Sequence, residues 1–292
     1  MERKTILLLG VGVLVLAVAL VMVLNYAGPA PGGSAGPAHT ALPTPATIGS
    51  DEALEAVRTN VQETLDRMDA DTATAATALG PAGMNGNETR EIVRNLSLAS
   101  PSVIDATAVS RDGVMLTVEP VEYHYTEGSD IRNQEHVRQL LTTKKPVMSR
   151  VFETVEGVNA TDIEHPVFAP SGEFNGSASL LFRPVVLLTI AVEEALGGRT
   201  AEVFVMDTDG VILYDRDPAE VGTNTFSSPL FRDYPEVGAI AARMAKEPNG
   251  TGQYTFLAEG STTPVRKEVS WTSVGLHGTE WRIVAVDTTS PA

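Results

Sequence analysis

Arg-Asp-Gly-Val-Met-Leu at residues 111–116 is echoed by Thr-Asp-Gly-Val-Ile-Leu at 208–213, 97 residues further on. That spacing is close to one small domain. Alternating apolar residues flank each Asp-Gly, which is a hairpin signal. The first hairpin pairs Val103–Ser110 with Val114–Val118; the second pairs Glu202–Asp207 with Val211–Asp215. Each leads through a glycine-containing loop into a helix and then three strands. In the first copy these are a helix over Ile131–Thr142 and strands over Pro146–Thr154, Thr161–Phe168 and Gly176–Phe182. Val121–Thr126 reads as an extra strand. In the second copy the helix is Pro235–Lys246 and the strands are Gly252–Leu257, Val265–Thr272 and Glu280–Asp287. A doubled strand–helix–strand pattern predicts an α+β architecture with antiparallel sheets.

A long amphipathic helix precedes the first copy. Ser50 reads as its N-cap, with Asp51 and Glu52 in the first turn. Leu54, Val57, Val61, Leu65 and Met68 follow at three- and four-residue spacing, which predicts about 25–30 helical residues. A shorter helix is expected over Glu88–Leu98, after the Gly83–Gly86 break. Between the copies lies a hydrophobic helix, Pro184–Leu196, stopped by Gly197 and Gly198.

Thr5–Leu24 is a run of twenty residues without a charge, enough for a helix of about 30 Å, the thickness of a bilayer core. Arg3 and Lys4 precede it and no basic cluster follows. A single-pass transmembrane anchor with a cytoplasmic N-terminus and an extracytoplasmic remainder is therefore expected. A cleaved signal peptide is the alternative, with Ala27–Ala30 as a cleavage region. Five Asn-X-Ser/Thr sites, at Asn87, Asn95, Asn159, Asn175 and Asn249, fit external exposure. Residues 26–49, rich in Pro, Gly and Ala, read as a linker. The expected organisation is thus 1–25 tip and anchor, 26–49 linker, 50–198 long helix and first module, and 199–288 second module.

There is no cysteine, which excludes disulfides, thiolate metal sites and a lipid-modified cysteine anchor. The net charge of −16 argues against nucleic-acid binding. No His-Glu-x-x-His, Gly-x-Ser-x-Gly or phosphate loop is present, so no enzyme chemistry and no cofactor is expected.

Six segments together resemble the double Cache sensor domain, in which two PAS-like modules are strung on a long helix. They are EGSDIRNQEHVRQLL (127–141) with KKPVMSRVF (144–152), DIEHPVFAPSGEFNGSASLLF (162–182), and EVFVMDTDGVILYDRDPAEVGTN (202–224) with GTGQYTF (250–256) and GTEWRIVAV (278–286). Chains of this stand-alone, anchored kind look archaeal, of methanogen type. The resemblance implies extracytoplasmic binding of a small molecule, usually in the membrane-distal first module. Some members read an α-amino acid through Arg-x-Trp-Tyr and a later Asp. Here those positions fall on Gln134, His136, Val137 and the neighbourhood of Leu181, so that reading is not carried over.

Candidate ligand contacts follow from side-chain chemistry. Tyr123 and Tyr125 would share one face of a strand and offer aromatic bodies with polar tips. Arg150 could hold a ligand carboxylate in bidentate fashion. His136, Asp162 and His165 are the remaining candidates, with Asp162 and His165 expected on opposite faces of one strand. Asp215, Asp217 and Glu220 read as a solvated acidic loop, Trp271 and Trp281 as core, and His277 as a solvated turn residue. The expected ligand is small and polar or anionic. With four residues before the apolar run and no output domain, a signal would pass through a homodimer or a separate partner. A cell-envelope scaffold without a ligand is the alternative function.

Overall fold

The computed structural model describes residues 46–258 and 260–289. The expected anchor and all but the last residues of the linker lie outside them. Among the described residues no helix is long and apolar enough to cross a membrane. The described residues form one compact unit.

Helix α1 spans Ser50–Ala82, 33 residues, and α2 spans Asn87–Ser97. The cap of α1 is Gly49, whose carbonyl accepts from the Ala53 amide. Ser50 is already helical, and its hydroxyl instead donates to Asp287 at 2.5 Å. Strands β1 (Val103–Ser110) and β2 (Met115–Glu119) form the first hairpin. Helix α3 is Glu135–Thr143, followed by β3 (Val147–Met148), β4 (Phe152–Glu153), β5 (Asn159–Phe168) and β6 (Phe174–Phe182). Helix α4 is Pro184–Leu196, with the expected bounds. The second half runs β7 (Glu202–Asp207), β8 (Ile212–Tyr214), α5 (Pro235–Lys246), β9 (Gly250–Leu257), β10 (Pro264–Leu276) and β11 (Thr279–Thr289).

Both sheets are antiparallel and share one strand order. The first runs β2-β1-β6-β5-β3, with β4 paired to β5; the second runs β8-β7-β11-β10-β9. The repeat extends to irregularities. The first hairpin slips register after Ala108↔Thr117 to reach Val109↔Met115, and the second slips after Val205↔Tyr214 to reach Met206↔Ile212. Gly113 and Gly210, at φ 77° and 84°, make the two turns in left-handed backbone that L side chains avoid.

Two segments depart from expectation. Val121–Thr126 is a 3-10 helix, not a strand. Its turns close through Tyr123 N to Pro120 O and Glu127 N to His124 O. The Arg90 guanidinium on α2 also gathers Glu119, His124 and Glu127 around it. The expected strand Pro146–Thr154 is broken into β3 and β4.

One core joins the two sheets. Val57, Val61, Leu65, Met68 and Leu79 of α1 and Leu187, Leu188 and Val192 of α4 pack with Ala106, Ile163, Leu180 and Phe182 of the first sheet. Val203, Val205, Trp281 and Ile283 of the second sheet complete the cluster. Alternation along the strands turns every second residue to this core and leaves the other face of each sheet to build a site. Gly80 lets α1 approach closely: a Cβ there would stand 2.5 Å from the Phe168 carbonyl oxygen.

Candidate functional site

The outer face of the first sheet is polar and yet buried. Ala106, Ala108, Ile163, Ala178 and Leu180 face the core, so Asp105, Thr107, Asp162, Glu164, Ser177 and Ser179 face away from it. Each of these six is at most 7% exposed, which requires partners. Ser179 Oγ donates to both Asp162 oxygens at 2.8 and 2.9 Å. Thr107 Oγ1 donates to Asp105 at 3.0 Å, and Ser177 Oγ to Glu164 at 2.5 Å. His136 of α3 sets its Nε2 3.3 Å from Asp162 Oδ2 and stacks against Phe152, ring centroids 4.6 Å apart.

Acid is in excess here. Burial pushes Glu164 up to about 7, helped by the Asp162 charge. Burial also drives Asp105 well above the carboxylate range, and the facing Glu156 adds to it. For His136, burial opposes the charged ring, but the bond to Asp162 together with the Asp162, Glu164 and Glu135 charges outweighs it and raises the imidazole. Asp105 Oδ2 and Glu156 Oε1 are buried and meet no protein donor among the described residues. They border a cavity of about 20 Å³, which Thr107, Phe152, Asp162 and Ser179 also line. Two facing carboxylates in such a place share a proton or hold a cation.

The candidates from sequence divide. His136 and Asp162 meet. Tyr123 is half-buried against Ile104, Ala160 and Leu181, with Phe152 beside it. Tyr125 is 68% exposed, 6.4 Å from Tyr123 between centroids. Burial and the nearby Glu156 charge raise its hydroxyl pKa. The two tyrosines come together through one 3-10 turn rather than through strand alternation. Arg150 does not join them. It is exposed and pairs with Asp209 of the second hairpin turn, because the break between β3 and β4 turns it outward. His165 lies on the opposite face of β5 from Asp162, as the odd spacing requires, and contacts Asp69 of α1 at 2.6 Å. Asp105 and Glu156 were missed. A lone Asp inside the apolar run of β1 was a legible signal for the first; Glu156, in a loop, gave none.

The equivalent face of the second sheet holds a cavity of about 550 Å³. Its wall is apolar, from Met206, Phe231, Ile240, Met244 and Phe256. Its polar groups are Glu202, Asp215, Glu220, Tyr254 and Lys267. Lys267 is 5% exposed and paired with Glu202. Burial raises Asp215 to about 6; burial and the Asp215 charge raise Glu220 to about 7. These two acids, expected in a solvated loop, are instead half-buried in a cavity wall, because the loop folds back so that the Gly222 amide donates to the Ile212 carbonyl. Trp271 and Trp281 are buried in the core as expected. His277 is in a turn but is not free in solvent: its Nε2 lies 2.7 Å from Asp69.

Residues 63–184 match the family described as HK/GC/chemotaxis protein-like, sensor domain. No curated protein matches the chain. Among solved structures, an extracellular ligand binding receptor from Desulfohalobium retbaense is 29% identical over 80% of this chain, with a TM-score of 0.67. This chain spans only 39% of that one. The ligand-binding domain of the Pseudomonas aeruginosa amino acid chemoreceptor PctC, in complex with GABA, is 19% identical. It covers 81% of this chain and 97% of its own, with a TM-score of 0.57. That of the Pseudomonas fluorescens chemoreceptor CtaA, in complex with L-serine, is 16% identical. It covers 82% and 95%, with a TM-score of 0.57. The chain therefore has the fold of extracellular ligand-binding receptor domains, and residues 63–184 within it match a chemotaxis-type sensor domain.

Proposed function

We propose that this protein is an extracytoplasmic sensor whose first module captures a small molecule through a cationic amine. The pair of buried carboxylate oxygens without a donor, Asp105 Oδ2 and Glu156 Oε1, carries this reading. An ammonium group supplies the N–H donors they lack and offsets the excess negative charge of Asp105, Glu156 and Asp162. Tyr123, Tyr125 and Phe152 beside them suit the aromatic side of such a site. An anionic ligand is disfavoured, since Arg150 is engaged by Asp209. The complexes with GABA and L-serine, both amines, support the choice of chemical class. Convergent polar groups in the pocket speak against the scaffold alternative.

A cavity of about 20 Å³ is smaller than any such ligand, so binding requires the segments beside it, around Ile131–Gln134 and Thr154–Glu156, to move apart. A ligand that favours one position of these segments shifts the population of states, and α1 is the element placed to transmit that shift. The uncharged run Thr5–Leu24 supports a membrane anchor, and the module boundaries at 50–198 and 199–288 follow the repeat. Output would then pass through a homodimer or a separate partner.

The 550 Å³ cavity of the second module favours a second reading, in which that module also holds a ligand. A thermal-shift screen of the full-length protein against amines, amino acids, carboxylates and sugars tests both. An amine at 100 times its Kd stabilises by about 2.7 kcal/mol, a rise of roughly 5–10 °C. A response that disappears in Asp105→Asn supports the first-module site. One that survives there and disappears in Lys267→Met assigns it to the second. Stabilisation by carboxylates alone overturns the amine reading.

A further inference from the structure

Asp69, His165 and His277 come from three separate parts of the fold: α1, strand β5 of the first sheet, and the β10–β11 turn of the second. Both imidazole Nε2 atoms converge on one oxygen, Asp69 Oδ1, at 2.6 and 2.7 Å. The rings stand edge to face with centroids 5.6 Å apart. One ligand atom from each of the three residues falls within 4.8 Å of the other two. Their side chains are 22%, 11% and 23% exposed, so the cluster is sheltered but reachable from solvent.

The turn that brings His277 here is held from two sides. Gln62, two helical turns before Asp69 on α1, donates to the Gly275 carbonyl at 3.1 Å and accepts from the Gly275 amide at 3.0 Å. Thr279 Oγ1 donates to the Met148 carbonyl of β3 at 2.6 Å. His277 itself has φ 52°, a left-handed position that hairpin turns normally give to Asn, Asp or Gly. A bulky ring in that position costs backbone energy, and here it aims the imidazole at α1 and β5.

We propose that Asp69, His165 and His277 form a binding site for a divalent transition metal of the zinc class. Two imidazole nitrogens and one carboxylate oxygen are the donor set of borderline metals rather than of calcium or magnesium, which take oxygen. Three protein ligands leave a fourth tetrahedral position to water or to an exchangeable ligand. Metal–ligand distances of about 2.0–2.2 Å separate the ligand atoms by roughly 3.3 Å. The nitrogens therefore draw back from Asp69 Oδ1 by well under 1 Å. Each imidazole would offer the Nε2 lone pair to the metal, with its remaining proton on Nδ1. A bound ion would tie both sheets to α1 at one point, on the opposite face of β5 from the amine pocket.

The test is calorimetric titration of the full-length protein with zinc chloride, paired with its melting temperature. One equivalent should bind and raise the melting temperature by several degrees. His277→Ala and Asp69→Asn should each weaken zinc binding at least tenfold while keeping a cooperative transition without metal. Cobalt in place of zinc should give the visible absorption of a tetrahedral site, lost in His165→Ala. His277 lies in a surface turn, so that variant keeps the test open if His165→Ala does not fold. Absence of zinc binding by the wild type, or binding unchanged in His277→Ala, overturns the site. A zinc response lost in His136→Ala but kept in His277→Ala also overturns it, in favour of His136, Asp162 and Glu164.

Discussion

Phe182 and Trp281 meet with ring centroids 6.5 Å apart, one from the last strand of the first sheet and one from the last strand of the second. Both are fully buried. Trp281→Ala should cost about 3–5 kcal/mol, and because the core is shared it should lower the stability of both sheets together. Denaturant unfolding followed by both near- and far-ultraviolet circular dichroism should show one transition at a lower midpoint. Two separated transitions would show that the sheets unfold independently.

Asp105→Asn replaces a buried, strained carboxylate by a neutral isostere that can donate to Glu156. Burial and the Glu156 charge disfavour the ionised form of Asp105 when no cation is bound, so the substitution should raise stability at neutral pH. The same change should weaken amine binding by roughly 10–100-fold, the effect of losing a charge-assisted hydrogen bond. Parallel melting and titration experiments should move in opposite directions.

Asp215 and Glu220, raised to about 6 and about 7, predict a pH dependence. The folded state holds protons that the unfolded chain gives up near pH 4. Their contribution is therefore favourable in acid and is lost as pH rises from about 4 to about 7. The melting temperature should climb between pH 7.5 and 5.5, and the climb should be shallower in the double variant Asp215→Asn, Glu220→Gln. A profile identical in the variant would assign the dependence to other groups.

Glu202→Gln leaves Lys267 charged, 5% exposed and without its carboxylate partner. The cost should be about 2–3 kcal/mol, below that of a fully buried pair because Glu202 keeps contact with water. Lys267→Met in the same background should restore most of it. Chemical denaturation of the two variants measures both effects.

Arg150→Ala breaks an exposed pair with Asp209. It should cost under about 1 kcal/mol and leave ligand affinity unchanged. A tenfold loss of amine binding in this variant would return Arg150 to the pocket.

Local patterns were legible where both period and punctuation were strong. Pro184–Leu196 and Pro235–Lys246, each opened by a proline, are helices with the expected bounds. The paired Asp-Gly hairpins follow from glycine's tolerance of positive φ. Val121–Thr126 alternates like a strand, yet Arg90, some thirty residues earlier, gathers its His124 with the flanking Glu119 and Glu127 and holds it in 3-10 turns. Distant partners of that kind leave no local period. The site shows the same division. Strand parity separates Asp162 from His165, and the structure does likewise. The partners of Arg150 and His277 lie 59 and 208 residues away, and nothing near them in sequence names Asp209 or Asp69.

The N-terminal half of α1 rests on β10 and β11, the final strands of the second sheet. Ser50 reaches Asp287 across 237 residues, and Gln62 reaches Gly275 across 213. The other end of α1 meets β5, which follows about ninety residues later. On a ribosome adding about 5–20 residues per second, the start of α1 waits roughly 10–50 s for its cover while the far end is already docked. The order of synthesis thus gives the two halves of α1 different folding histories: the C-terminal half closes early, and the N-terminal half gains these contacts only after the second sheet has been made.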